Sequence, residues 1–287
     1  MNDDPRGILY PQDLPRFTRR PAPDDLADRV RWFWIPRWNL PPGRVSRQHL
    51  LPFPATNLVV DPADVTRAGP TTGASYRNLS GCGWAVGASL RPAGLASLFP
   101  LPQPNPPPDL VPLPEPPLLP ELVEGSPPGP SALRDSEITV DFPDLHLAVS
   151  STLDPAQDST IDDAVAAFAA WGREHLATPD EAGSLANTME ELIATDRDLV
   201  RVEQLAERLA VSIRTVQRLA KRHIGLPPLA VIRRYRLQEA AQRVRDDPAL
   251  PIAQIAAELG YADHAHLDAD FRSVLGFTPA TYRSGRS

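Results

Sequence analysis

Apolar positions recur in one register from residue 202 to the end of the chain. Leu205, Ala206 and Leu209 stand at i, i+1 and i+4, which gives one face of a short helix. Val211 enters a turn, and Ser212 is a good N-cap for a second helix. In that helix Val216 and Leu219 face inward, while Arg214, Gln217, Arg218, Lys221 and Arg222 take the other side. A long helix over Leu229–Arg245 follows, with Leu237, Ala240, Ala241 and Val244 on its core side. The pattern then repeats: Ile252, Ile255, Ala256 and Leu259 form an apolar face, Gly260 turns the chain, and Ala262–Leu275 supply another helix. An exposed Arg/Gln face suits base-edge reading in a major groove, since Arg pairs with guanine and Gln with adenine. The same face also suits a solvated basic helix, because short helix pairs are common.

The first half alternates instead. Arg31–Trp38 places Trp32 and Trp34 on one side of a strand. Gln48–Leu51, Asn57–Val60 and Gly83–Leu90 are further strand-like runs, separated by turn signals such as Pro41-Pro42-Gly43 and Gly69-Pro70. This spacing predicts a small β-barrel or sandwich. Ile161, Val165, Phe168 and Ala169 share a helical face over Ile161–Leu176, with Asp158-Ser159 as its N-cap. Leu185, Met189, Leu192 and Ile193 form a similar stripe. Residues 1–30 read as a loosely held arm. Residues 100–130 hold 14 prolines and exclude regular helix or sheet there, leaving a stiff surface loop or a docking segment.

The fold class is therefore α+β: a β-rich barrel or sandwich over residues 1–157, a helical linker over 158–183, and an all-α unit with two helix-turn-helix motifs over 184–287. At 287 residues the chain is long enough for two cores. No run of 18 apolar residues and no signal-peptide pattern is present, so a soluble cytoplasmic protein without membrane contact is expected.

Charge sharpens the division. The formal net charge is −7, but residues 184–287 hold 15 Arg or Lys against 13 Asp or Glu, while residues 1–183 hold 14 against 23. The cations of the second half thus stand out against an acidic first half. Cys82 is the single cysteine, which excludes an internal disulfide and a cysteine-cluster zinc site. Metal-dependent oxygenase chemistry in the β-rich half needs two His and a carboxylate, or three His. His49 and His146 lie far apart there, and no His-x-His pair occurs. No Ser-His-Asp set or Gly-rich phosphate loop stands out, so no catalytic residue, cofactor or metal is assigned.

The runs LAERLAVSIRTVQRLAKRHIGLPP, RRYRLQEAAQRV and IAQIAAELGYADHAHLDADFRSVLGFTPATYR resemble the DNA-binding domain of the AraC/XylS family of transcription regulators. The likeness covers about 100 residues with almost no gaps. More loosely, HLLPFPATNLVVD and GPTTGASYRNLSGCGWAVGASLRP resemble the amino-terminal domain of one AraC-like subgroup, which implies a cupin-like effector or dimerisation domain. The single cysteine argues against the family-related DNA-repair proteins, which need several metal-binding cysteines.

The resemblance implies a transcription regulator that binds double-stranded DNA, with a small-molecule effector, a homodimer and RNA polymerase as further partners. It puts Arg214, Gln217 and Arg218 at base-contacting positions, and Ser212, Thr215, Lys221 and Arg222 at the cap and phosphate contacts of the same helix. Ala220 stands where a large aromatic residue is usual, leaving space for another side chain to fill. In the second unit only His264, His266 and Arg272 remain as contacts, because Asp268 and Asp270 repel phosphates. Asp270 can instead pair with an Arg of the central helix. Trp32, Trp34, Trp38, His49 and Trp84 are the effector-binding candidates, with packing as the alternative role. A sensor or interaction module with weakened or lost DNA binding is the rival reading.

Overall fold

The computed structural model describes residues 16–50, 53–70, 75–99 and 137–284. The proline-rich segment lies outside them.

The amino-terminal half is built on one long strand. Strand β2 (Val30–Asn39) alternates from Trp32 onward, past a register shift between Val30 and Trp32, so Phe33 and Ile35 are buried on one face while Trp32, Trp34 and Trp38 share the other. It pairs antiparallel with β1 (Arg16–Pro21) on one side and with β8 (Val86–Leu90) on the other. The loosely held arm expected over residues 1–30 is thus a sheet strand from Arg16. Beyond β8 come β4 (Asn57–Val60), β5 (Val65–Ala68) and β9 (Glu137–Thr139), and β7 (Cys82–Trp84) adds to the end of β2. Strands β3 (Val45–Leu50) and β6 (Ser75–Ser80) form a separate two-stranded sheet. Arg77 of β6 ties it to β9 through Glu137, Nη2 to Oε1 2.7 Å.

The sheet's core face is apolar apart from Arg37, which is buried there and pairs with Asp158. Phe33, Ile35, Leu58, Val60, Val86 and Ala88 meet Leu145 and Val149 of α2 (Pro143–Ser150) and Ile161, Phe168 and Trp171 of α3 (Thr160–His175). Helix α3 therefore closes this core with the stripe read from its periodicity. Its expected cap differs: Ser159 makes no side-chain cap bond, and Asp158 pairs with Arg37 and Arg16 instead. The aromatic face is seated on glycine. A methyl group on Gly87 would collide with the Trp34 indole, and one on Gly83 with that of Trp38.

Helix α1 (Pro92–Leu98) follows β8 and packs against the helical half that begins at residue 181. That half runs α4 (Glu181–Thr195), α5 (Val202–Arg208), α6 (Ile213–His223), α7 (Pro228–Asp246), α8 (Ile252–Glu258), α9 (His264–Leu275) and α10 (Pro279–Ser284). Helix α7 is common to two cores. Its first half gives Val231, Ile232 and Tyr235 to a core with Met189, Leu205, Val216 and Leu219. Its second half gives Leu237, Ala240, Ala241 and Val244 to a core with Ile255, Leu259, Leu267 and Phe271. At 19 residues it spans about 28 Å, at 1.5 Å per residue.

Candidate nucleic-acid interface

The first unit presents α6 as a helix whose buried side is apolar up to His223 at its end. Val216, Leu219 and Ala220 are buried in its core, so the residues between them must point outward. Arg214, Gln217, Arg218, Lys221 and Arg222 are exposed along that outer side. Ser212 caps the helix by accepting from the Thr215 amide at 3.1 Å, and its hydroxyl lies 3.0 Å from the Thr215 hydroxyl. The cap holds the first turn and leaves the cations free of it. Helix α5 is held at its own start by Gln204, whose Oε1 accepts from the Val200 and Arg201 amides at 3.0 and 2.9 Å. The turn between α5 and α6 puts Ala210 in the left-handed region at φ 53°.

The second unit repeats the geometry with other chemistry. Gly260 makes the turn at φ 68°, where a Cβ would press on Val200 and Arg236. Asp263 caps α9 by accepting from the His266 amide at 2.8 Å. His264, His266 and Arg272 are exposed, but His266 stands edge-on to Tyr261, ring centroids 5.3 Å apart, and Arg272 lies 4.0 Å from Asp268. Asp270 faces inward and accepts from the Tyr261 hydroxyl at 3.0 Å. Arg236 of α7 lies 4.5 Å over the Tyr261 ring and donates to the Leu259 carbonyl. Burial, with the Asp270 charge beside it, pushes the Tyr261 phenol well above its ordinary value. Asp270 thus has the Tyr261 hydroxyl as one internal partner, and its charge also acts on Arg234 and Arg236 of the central helix.

The aromatic candidates divide. Trp34 stacks on Phe17 at 6.5 Å and donates from Nε1 to Asn57 Oδ1 at 2.9 Å. Trp38 donates to the Ser80 carbonyl at 3.2 Å, and Trp32 lies 4.5 Å beneath the Arg19 guanidinium. Trp84 is not in this group. It pairs with Arg37, on the opposite face, and is buried in the sheet core. The side chain of His49 lies outside the described residues. Among the described residues no three His, Cys, Asp or Glu side chains are placed to hold a metal, and no helix is long and apolar enough to cross a membrane.

Several residues that join the two halves escape sequence reasoning. Glu190 of α4 is 1% exposed, and it meets Arg31 and Tyr235. His223, at the end of α6, is 2% exposed beside Pro92 and Leu95 of α1. Phe53 packs against the first helical core, in which Ala220 is fully buried. Glu190 sits in an apolar stripe whose period gives no sign that a carboxylate is included.

Residues 205–285 match the family model described as a helix-turn-helix domain, and residues 18–105 match one described as a domain of unknown function (DUF6597). The transcriptional activator RhaS of Escherichia fergusonii is 37% identical over 91 residues, covering 31% of this chain and 32% of RhaS. A putative AraC-like transcription regulator of Streptomyces antibioticus is 37% identical over 82 residues, covering 29% and 27%. Among solved structures, a transcriptional regulator with an AraC-type DNA-binding domain from Chromobacterium violaceum aligns with a TM-score of 0.33 and 23% identity, covering 36% of this chain and 92% of that one. The alignments to the two curated relatives span about a third of their length or less. The carboxy-terminal region is an AraC-type helix-turn-helix domain.

Proposed function

We propose that this chain is a cytoplasmic transcription regulator that binds double-stranded DNA in a sequence-specific way. One observation carries the reading: the outer side of α6 is a continuous run of Arg214, Gln217, Arg218, Lys221 and Arg222 on a capped helix with an apolar back. Arg214, Gln217 and Arg218 read base edges, each good pair being worth about 1–3 kcal/mol of discrimination. Ser212, Thr215, Lys221 and Arg222 set register on the backbone. His264, His266 and Arg272 of α9 position the second unit in the next major groove, about 34 Å away. The expected linker over 158–183 contains α3, which belongs to the sheet's core by its packing, so the boundary of the two units is proposed between α3 and α4.

The β-rich region is the effector or dimerisation unit. Its aromatic face, with Trp32, Trp34, Trp38 and the Arg19 cation, suits a small apolar organic acid. A homodimer and a contact with RNA polymerase complete the proposed assembly. No catalytic step is assigned to any residue. The test is capture of genomic DNA by the purified full chain beside Arg218→Ala. A discrete motif recovered by the parent and lost by the variant is expected. Equal recovery by both, or no enrichment by the parent with or without added cell metabolites, overturns the reading.

A further inference from the structure

Five side chains close a ring where the sheet meets the first helix-turn-helix unit. Arg31 of β2 pairs with Glu190 of α4, Nη2 to Oε2 2.7 Å. The other carboxylate oxygen of Glu190 accepts from the Tyr235 hydroxyl of α7 at 2.7 Å. The Tyr235 ring stands edge-on to Phe53, centroids 5.4 Å apart, and Phe53 stands edge-on to Trp32 at 5.7 Å. Trp32 closes the ring beneath the Arg31 guanidinium, 5.4 Å from it.

The chemistry makes the ring cooperative. A carboxylate taken out of water is costly unless its partners are all in place. The partners of Glu190 come from opposite sides: Arg31 from the sheet and Tyr235 from the helix that carries both reading units. Undocking either side strands the charge. Burial alone would depress the Arg31 guanidinium, yet the Glu190 charge overrides this and holds it above its ordinary value. The neighbouring link from Arg91 to Glu191, 3.2 Å long with Glu191 48% exposed, is of the surface kind that contributes little. Trp32 belongs both to this ring and to the aromatic face that carries Trp34 and Trp38.

We infer that this ring is the coupling contact of the protein, through which the aromatic face of the sheet and the first DNA-reading unit sense one another. Because α7 carries both units, a shift of Tyr235 changes how α6 and α9 stand together. The inference deepens the proposed regulation and rests on that reading for the identity of its output, but the coupling itself is measurable without DNA.

All five tryptophans, at 32, 34, 38, 84 and 171, precede the helical unit, so indole emission reports on the amino-terminal region alone. The full chain is titrated with a labelled random-sequence duplex of about three helical turns at low salt. Duplex anisotropy and indole emission are read together. Urea unfolding is followed in parallel by emission and by helical circular dichroism. For the parent, an emission change on duplex addition and coincident unfolding curves are expected. Trp32→Phe removes at least half of that emission change. Glu190→Gln still binds duplex but loses the emission change, and its two unfolding curves separate. Tyr235→Phe, which removes one hydroxyl, acts in the same direction and more weakly. Arg31→Met with Glu190→Met brings the curves back together, since no charge is then stranded. Coincident curves in Glu190→Gln overturn the inference, as does an emission change that survives this substitution. Absent duplex binding together with separated curves in Glu190→Gln sinks the DNA reading and upholds the ring.

Discussion

Helix α6 shows five polar side chains with no acid among them, whereas α9 shows His264, His266 and Arg272 with Asp268 between. The two units share α7 and the same helix-turn-helix geometry, so the difference is not one of fold. It is one of surroundings. The first unit packs against α1 and Phe53, and so touches the sheet region. The second is held by α7, α8 and α10, with Arg272 near Asp268 and Asp270 accepting from Tyr261. In the proposed reading the first unit reads DNA and is coupled to the sheet, while the second supports it. Chemistry on the outer face and contact on the inner face can be divided between two copies of one motif.

The comparison can be broken most forcefully in the cores. Leu219→Ala and Leu267→Ala each remove a buried leucine and should cost about 2–5 kcal/mol. For Leu219 the loss should loosen the sheet contacts, so indole emission shifts with the helical signal. For Leu267 it should melt the second unit and leave emission unmoved. Emission that moves equally in both would end the claim that only the first unit is coupled. Next in size, Arg218→Ala should weaken binding to a captured motif by about 1–3 kcal/mol, roughly 5- to 150-fold, with little change on random duplex. Arg272→Ala should change either affinity by about twofold, as for a screened surface cation.

Acidification separates the units again. Burial, with Arg222 alongside, holds the His223 imidazole below its ordinary value. The unfolded chain therefore binds this proton first, at about pH 6.5. The stabilisation is intact above that pH and is lost as pH falls through the lower native value. Urea midpoints measured from about pH 8 to pH 5 should decline. His223→Phe should flatten the decline, and His264→Gln should leave it standing. The smallest effect concerns the turns. Ala210→Gly should stabilise the chain by about 1 kcal/mol by relieving a left-handed alanine, while Gly260→Ala should destabilise it by at least as much.

The helical half was legible because its information is local. The apolar periods of α5, α6 and α7, the Ser212 cap and the Gly260 turn all act within a few residues. Seven helices follow residue 180 among the described residues. What was not legible depends on register or on distant partners. Trp84 was grouped with the other tryptophans, yet pairing sets Gly83 opposite Trp38, which turns Trp84 to the core. Asp158 has an arginine 121 residues away as partner, so a local capping rule could not place it. Glu190 and His223 escape sequence reasoning because nothing near them in sequence announces the contacts that bury them.

The glycines beneath Trp34 and Trp38 have a consequence for how this region changes over time. Each indole occupies the volume that a side chain at Gly87 or Gly83 would need. The two members of each pair are therefore not free to vary one at a time. Any larger residue at 87 is harmful while Trp34 stands and becomes tolerable once position 34 has shrunk. A combinatorial library over these four positions should show sign epistasis along the two pairs and near independence between them. Drift across the aromatic face then moves in paired steps, so new surface shapes are reached by jumps rather than by gradual trimming.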